Sequence, residues 1–264
     1  MSKNKGEELA ACLKELRLPA ARGCYQELAD SARREALSYE AYLLEVVQRE
    51  CQLRRQHRME RLLRESHLPV DKSLESFDLK RLPGKVAAVV RTLLDGSFVE
   101  RKENVLVFGT PGAGKSHLLC GIGQELVRRG KTVYFSSTNL LVQELLLAKR
   151  ELRLPKAIKK LSHYTALILD DLGYVQQNRE EMEVLFTLLA ERYERGSVLI
   201  TSNLPFSKWE LIFKDAMTTA AAIDRLVHHS VILELNLPSY RVEQAKKSKA
   251  AAAPPETPPA EPKK

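Results

Sequence analysis

Eight consecutive residues, Gly109-Thr110-Pro111-Gly112-Ala113-Gly114-Lys115-Ser116, constrain this chain more than any other feature. They match G-x-x-x-x-G-K-[ST] at every fixed position. The apolar run Asn104–Phe108 precedes them, and a helical pattern through His117, Leu118 and Ile122 follows. A strand that turns through glycines into a helix demands an α/β fold. The glycines let backbone N–H groups point inward around a β-phosphate, and the helix adds the positive end of its dipole. Lys115 supplies a point charge for the β- and γ-phosphates, and the Ser116 hydroxyl ligates Mg²⁺. The reading is a site for ATP with Mg²⁺ running from Gly109 to Ser116, with His117 flanking it.

The second half of such a site is Ala166-Leu167-Ile168-Leu169-Asp170-Asp171, an apolar strand ending in two carboxylates. Asp170 is placed to hold Mg²⁺, and Asp171 is the candidate to polarise an attacking water. The other reading of Asp171 is a turn residue ahead of Gly173. Fifty-five positions separate Lys115 from Asp170, room for a whole strand–helix unit, which points to ATPases with an extra strand between the two motifs. Leu199-Ile200-Thr201-Ser202-Asn203 is a further strand with a polar end. It either carries Asn203 toward the γ-phosphate or turns at Asn-Leu-Pro.

Strands are expected at Asn104–Phe108, Thr132–Ser136, Ala166–Asp170, Ser197–Thr201 and Val231–Leu235, with helices between them. Such alternation means a mainly parallel sheet flanked by helices. Residues 1–68 read as a small all-helical domain. Leu9, Leu13 and Leu16 recur at helical spacing, as do Tyr39, Tyr42, Leu43 and Val46. Pro19 and Arg22-Gly23 are expected to break the first helix, and Ser38 to cap a later one. Residues 69–245 form the α/β domain, and the Pro- and Ala-rich segment 246–264 reads as a disordered tail.

Composition excludes several classes. The longest apolar runs are strand-sized, too short to span a bilayer. The start MSKNKGEELA lacks an apolar segment, so a cytoplasmic protein is expected. Cys12, Cys24, Cys51 and Cys120 show no metal-ligand spacing and are expected as free thiols, with neither a disulfide framework nor a structural metal. The net charge of +8 favours a polyanionic partner. Two clusters carry it: Arg54, Arg58 and Arg61 on one helical face, and Lys156, Lys159 and Lys160 with Arg150 and Arg153. Either is a candidate for duplex DNA, mainly its backbone, or a solvated helix face.

Beyond the phosphate loop, Leu167–Tyr174 (LILDDLGY), Ala190–Asn203 (AERYERGSVLITSN), Ala221–His229 (AAIDRLVHH) and Ser239-Tyr240-Arg241 resemble the IstB family, the transposition helper ATPases of IS21-class insertion sequences. Leu37-Ser38-Tyr39 and Phe98-Val99-Glu100 fit the same family. The resemblance implies a P-loop AAA+ ATPase fold, close to the DnaC helicase loaders and DnaA initiators. It implies that Asn203 is a sensor residue and that Arg225 is an arginine finger reaching a neighbouring subunit's γ-phosphate. The local alternative for Arg225 is an ion pair with Asp224. Arg241 becomes a candidate second sensor, although Asn236-Leu237-Pro238 departs from the family pattern. A homo-oligomer on duplex DNA with a partner transposase is the implied assembly. A replicative helicase loader of the DnaC type is the alternative. A small-molecule kinase has no support, since no acceptor-binding insertion is evident.

Overall fold

The structure, a computed structural model, describes residues 2–173, 178–213, 215–240 and 242–243. Arg241, Tyr174 and the segment 246–264 lie outside the described residues. The chain divides into two compact units, Met1–Leu62 and Leu63–Lys264.

The first unit is helical: α1 (Ser2–Glu15), α2 (Pro19–Arg34) and most of α3 (Tyr39–Glu65). The expected break at Arg22-Gly23 is absent, because both residues lie inside α2. Pro19 instead starts that helix, where its missing N–H costs nothing and its fixed φ suits the first turn. Ser38 accepts from the Ala41 N–H at 3.2 Å and caps α3 as its residue type predicts. The carboxylate of Glu50, only 5% exposed, accepts from the N–H groups of Ala20 and Ala21 and from Arg54. Arg54 also donates to the Arg17 carbonyl at 2.9 Å. One buried acid and its arginine therefore tie the α1–α2 connection to α3.

The second unit holds α4 (Gly84–Leu93), α5 (Ser97–Glu100), α6 (Lys115–Arg128), α7 (Thr138–Arg150), α8 (Leu154–Ser162), α9 (Arg179–Arg192), α10 (Glu210–Phe213) and α11 (Ala216–Val227). Its strands are β1 (Asn104–Gly109), β2 (Val133–Ser137), β3 (Ala166–Leu172), β4 (Ser197–Ser202) and β5 (Ser230–Leu235). All five expected strands are present, with ends shifted by one or two residues. They form one parallel sheet in the order β2-β3-β4-β1-β5. β1, β3 and β4 read as continuous apolar runs because both of their faces are covered. The edge strand β5 alternates near its end, with Ile232 and Glu234 outward and Leu233 and Leu235 inward.

The period of two sends alternate residues to opposite layers. Leu106, Leu167, Leu169, Val198 and Ile200 join the core built on α7, α9 and α11. Ile168 faces α6 on the other side, close enough that a Cβ on Gly123 would meet its Cδ1 at 2.7 Å. Since every strand runs the same way, the sheet has two unlike edges. The ends of β1, β3 and β4 converge on one edge, and the segments entering β2, β3, β4 and β5 lie on the other.

Candidate functional site

At the end of β1 the chain turns through Gly109 (φ 152°), Gly112 (φ 83°) and Gly114 (φ 96°) into α6. None of the three has room for a side chain. A Cβ on Gly112 would sit 2.1 Å from Ser239 Oγ, and one on Gly114 would sit 2.9 Å from the Phe77 ring. Lys115 is 6% exposed, and its ammonium donates to the carbonyls of Gly109 (2.9 Å) and Thr110 (3.1 Å). Residues Pro111 to His117 line a cavity of 520 Å³ that also takes in Asp171 and Asn203. That volume falls within the ~300–1,000 Å³ usual for small-molecule sites.

Asp170 and Asp171 sit on an irregularity. β3 pairs with β4 through Leu169↔Ile200 and again through Leu172↔Ser202, with a register shift between. Asp171 adopts φ 58°, a left-handed conformation that Asp tolerates better than most residues. The Thr201 hydroxyl fills the bulge. It donates to Asp170 Oδ1 at 2.6 Å and accepts from the Asp171 N–H at 2.8 Å. Thr138 Oγ1 donates to the Asp170 carbonyl at 2.9 Å. The buried Asp170 is thus fixed at both ends of its residue, while Asp171 is turned out to the cavity. Asn203 follows the end of β4, and the Ser202 hydroxyl ties that end to the Leu172 carbonyl. Ser116 and Asp170 offer oxygen only, a donor set that suits a hard divalent cation such as Mg²⁺.

Two walls of the cavity come from segments that sequence reasoning did not assign to it. One is the connector with Asp71, Lys72, Ser76, Phe77, Asp78 and Arg81; the other carries Leu237 and Tyr240. His117 turns toward the first wall, with Nε2 at 2.8 Å from the Ser73 carbonyl and its ring edge-on to Phe77. Arg81 bonds the Pro238 carbonyl and Glu243, and lies 5.0 Å over the Tyr240 ring. The Tyr240 N–H donates to the Gly112 carbonyl at 3.0 Å, and Thr110 Oγ1 donates to the Leu237 carbonyl at 3.1 Å. The only sequence cue to this strap is the Ser239-Tyr240 block. The connector reads as a linker because its apolar residues, Leu74 and Phe77, follow no helical or strand period.

Arg225 does not line this cavity. It is half-buried on α11, 4.9 Å over the Phe186 ring, and donates to the Ala221 carbonyl. Lys156, Lys159 and Lys160 are exposed on α8 and meet Thr132, His163 and Tyr164, which precede β2 and β3. They therefore lie at the sheet edge opposite the phosphate loop. In the first unit Arg54, Arg58 and Arg61 are all exposed, and Arg54 also bonds Glu50 and the Arg17 carbonyl.

Residues 11–250 match the family described as IstB-like ATP binding protein. An insertion-sequence ATP-binding protein of Sinorhizobium fredii is 43% identical over 242 residues, covering 91% of this chain and 81% of that protein. The ATP-binding protein named for insertion sequence IS21 of Pseudomonas aeruginosa is 39% identical over 241 residues, 91% of each chain. In fold, the chain is similar to the DnaC helicase loader, with a TM-score of 0.53 and 19% identity over 63% of this chain and 98% of that one. No helix among the described residues is long and apolar enough to cross a membrane. With this sheet order, this phosphate loop and these relatives, the chain belongs to the IstB-like ATP-binding family of IS21-type insertion sequences and has a P-loop AAA+ fold.

Proposed function

We propose that this protein is a cytoplasmic ATPase that assembles on duplex DNA and delivers that DNA to, or activates, a partner transposase. The observation that carries the reading is the single cavity in which the phosphate loop meets Asp171 and Asn203, in a chain of this family.

Backbone N–H groups from Gly109 to Ser116 hold the β-phosphate, and Lys115 leaves its carbonyl contacts to bridge the β- and γ-phosphates. Ser116 and Asp170 would hold Mg²⁺, which would offset phosphate charge. Asp171 accepts a proton from water as the water oxygen bonds to the γ-phosphorus. The bond from that phosphorus to the β–γ bridging oxygen breaks, leaving ADP and phosphate. Asn203 orients the water or the γ-phosphate. Arg225, absent from its own chain's cavity, acts on the site of a neighbouring copy, so hydrolysis needs a homo-oligomer. A finger of this kind is worth ~10³–10⁵ in rate. Lys156, Lys159 and Lys160, with Arg58 and Arg61, contact DNA phosphates, and Arg54 supports the helix that carries the latter two. A helicase-loading role rests on likeness of fold alone.

The test mixes two inactive variants. Arg225→Ala and Lys115→Ala chains each hydrolyse ATP at under a tenth of the wild-type rate on DNA. Mixed, they recover part of it, because an intact finger meets an intact loop. A mixture as inactive as its components overturns the shared site.

A further inference from the structure

The sheet edge opposite the phosphate loop carries a second cluster of ligating groups. Glu194 lies in the turn from α9 to β4, and His228 and His229 form the turn from α11 to β5. One ligand atom from each of the three lies within 4.8 Å of the others, and His228 Nδ1 is 4.0 Å from Glu194 Oε1. The two imidazole centroids are 4.0 Å apart.

The framework around them is built. Tyr193 Oη and His228 Nδ1 are 2.9 Å apart in a hydrogen bond, a contact that gives way where Nδ1 is the atom that binds the ion. Asn104, 8% exposed at the start of β1, links both turns. Its amide donates to the Leu226 carbonyl at the end of α11 and accepts from the Val198 N–H at the start of β4. The Asn104 N–H also donates to the His229 carbonyl at 2.7 Å. Two ligand-bearing turns from distant parts of the chain are therefore pinned to one buried amide.

The geometry points to a site for a divalent transition-metal ion, of the Zn²⁺ class, held by Glu194, His228 and His229. Two imidazoles and a carboxylate suit Zn²⁺, Ni²⁺ or Cu²⁺ over Mg²⁺. Tetrahedral bonds of ~2.0–2.1 Å bring ligand atoms to about 3.3 Å from one another. Exposed side chains close the remaining gap by rotamer adjustment without moving the backbone. Three protein ligands leave one position for water. The expectation of no metal rested on cysteine spacing, and this cluster escapes such a reading because its ligands meet only in the fold. The bound ion would cross-link the α9–β4 and α11–β5 turns beside α11, the helix that bears Arg225.

The test uses untagged full-length protein with Cys12 and Cys51 changed to Ser to remove thiol competition, in excess Mg²⁺ to saturate the hard oxygen site. Zn²⁺ is titrated against a chromogenic chelator, and Co²⁺ is followed by its visible absorption. One tight equivalent is expected, with a Co²⁺ spectrum of low-coordinate nitrogen and oxygen ligation. His228→Ala and His229→Ala each weaken Zn²⁺ binding at least tenfold, and Zn²⁺ raises the Tm of the parent but not of the double variant. Nucleotide binding at the opposite edge reports that the variants fold. Equal Zn²⁺ affinity in the parent and in the folded His228→Ala/His229→Ala protein overturns the site, as does loss of binding on His57→Ala/His163→Ala instead.

Discussion

Thr201 joins the two acidic residues of the candidate site, donating a hydrogen bond to Asp170 Oδ1 and accepting one from the Asp171 N–H. Thr201→Val keeps the shape of the side chain and removes both bonds. It leaves Asp170 free to rotate and the bulge without its filler. Loss of a group that orients a ligand typically costs 10–100-fold. ATP hydrolysis is expected to fall by that amount while nucleotide binding, followed with a fluorescent analogue, changes by less than threefold. Asp170 and Asp171 were legible in the sequence, since an apolar strand ending in acids is rare. Thr201 was not, because threonine is an ordinary strand residue and its carboxylate partner lies 31 positions away.

Among the elements, α9 shows how two similar residues diverge in the fold. Arg192 and Arg195 both look like surface charges in AERYERGS. Arg195 is exposed, but Arg192 is 2% exposed and donates to the carbonyls of Leu161, Tyr164, Thr165 and Ser197. Burial pushes its guanidinium down to about 10, still charged at neutral pH. It thus fastens the end of α8 and the starts of β3 and β4. Gly196 makes room for it, since a Cβ there would lie 2.3 Å from Nη2. Removing the donor strands several buried carbonyls, each worth ~1–3 kcal/mol. Arg192→Ala is expected to cost at least ~3 kcal/mol in urea unfolding, and Gly196→Ala ~1–3 kcal/mol through overpacking. In the Arg192→Ala background, Gly196→Ala should add little, because the clash is gone. The strands themselves were legible from their apolar runs. The break expected at Pro19 is present, between α1 and α2, while the one at Arg22-Gly23 is not, because Gly23, though weak in a helix, is carried by its neighbours in α2.

At the scale of the whole molecule, the first unit has an acid-sensitive clasp. Burial works against the charge of Glu50, but the Arg54 guanidinium and the N–H groups of Ala21 and Ala20 outweigh it and hold the carboxyl below the usual carboxylate range. A carboxyl lowered on folding stabilises the protein above its ordinary value, and that contribution is lost as pH falls through the lowered one. Glu50→Gln is therefore expected to lower Tm at pH 7, with the gap to wild type closing as pH drops below ~4. Thermal melts across that range, read by helix signal, provide the check. The α/β architecture was legible at this scale because motif spacing counts the strands between Lys115 and Asp170. The cavity walls at Asp71–Arg81 and Leu237–Tyr240 were not, since they come together through contacts between distant parts of the chain, among them those of Arg81 with Pro238, Tyr240 and Glu243.

The common direction of the five strands has a mechanical consequence. The phosphate loop belongs to one edge of the sheet, and the α8 lysines and the His228–His229 turn belong to the other. Between them runs the seven-residue strand β3, about 20 Å of close-packed backbone, paired with β2 on one side and with β4 on the other except across the irregularity at Asp170–Asp171. A slab of that stiffness does not relay a local distortion. Were such a slab to tilt at the end that carries the phosphate loop, the tilt would emerge as lateral travel at the far end, in the manner of a lever.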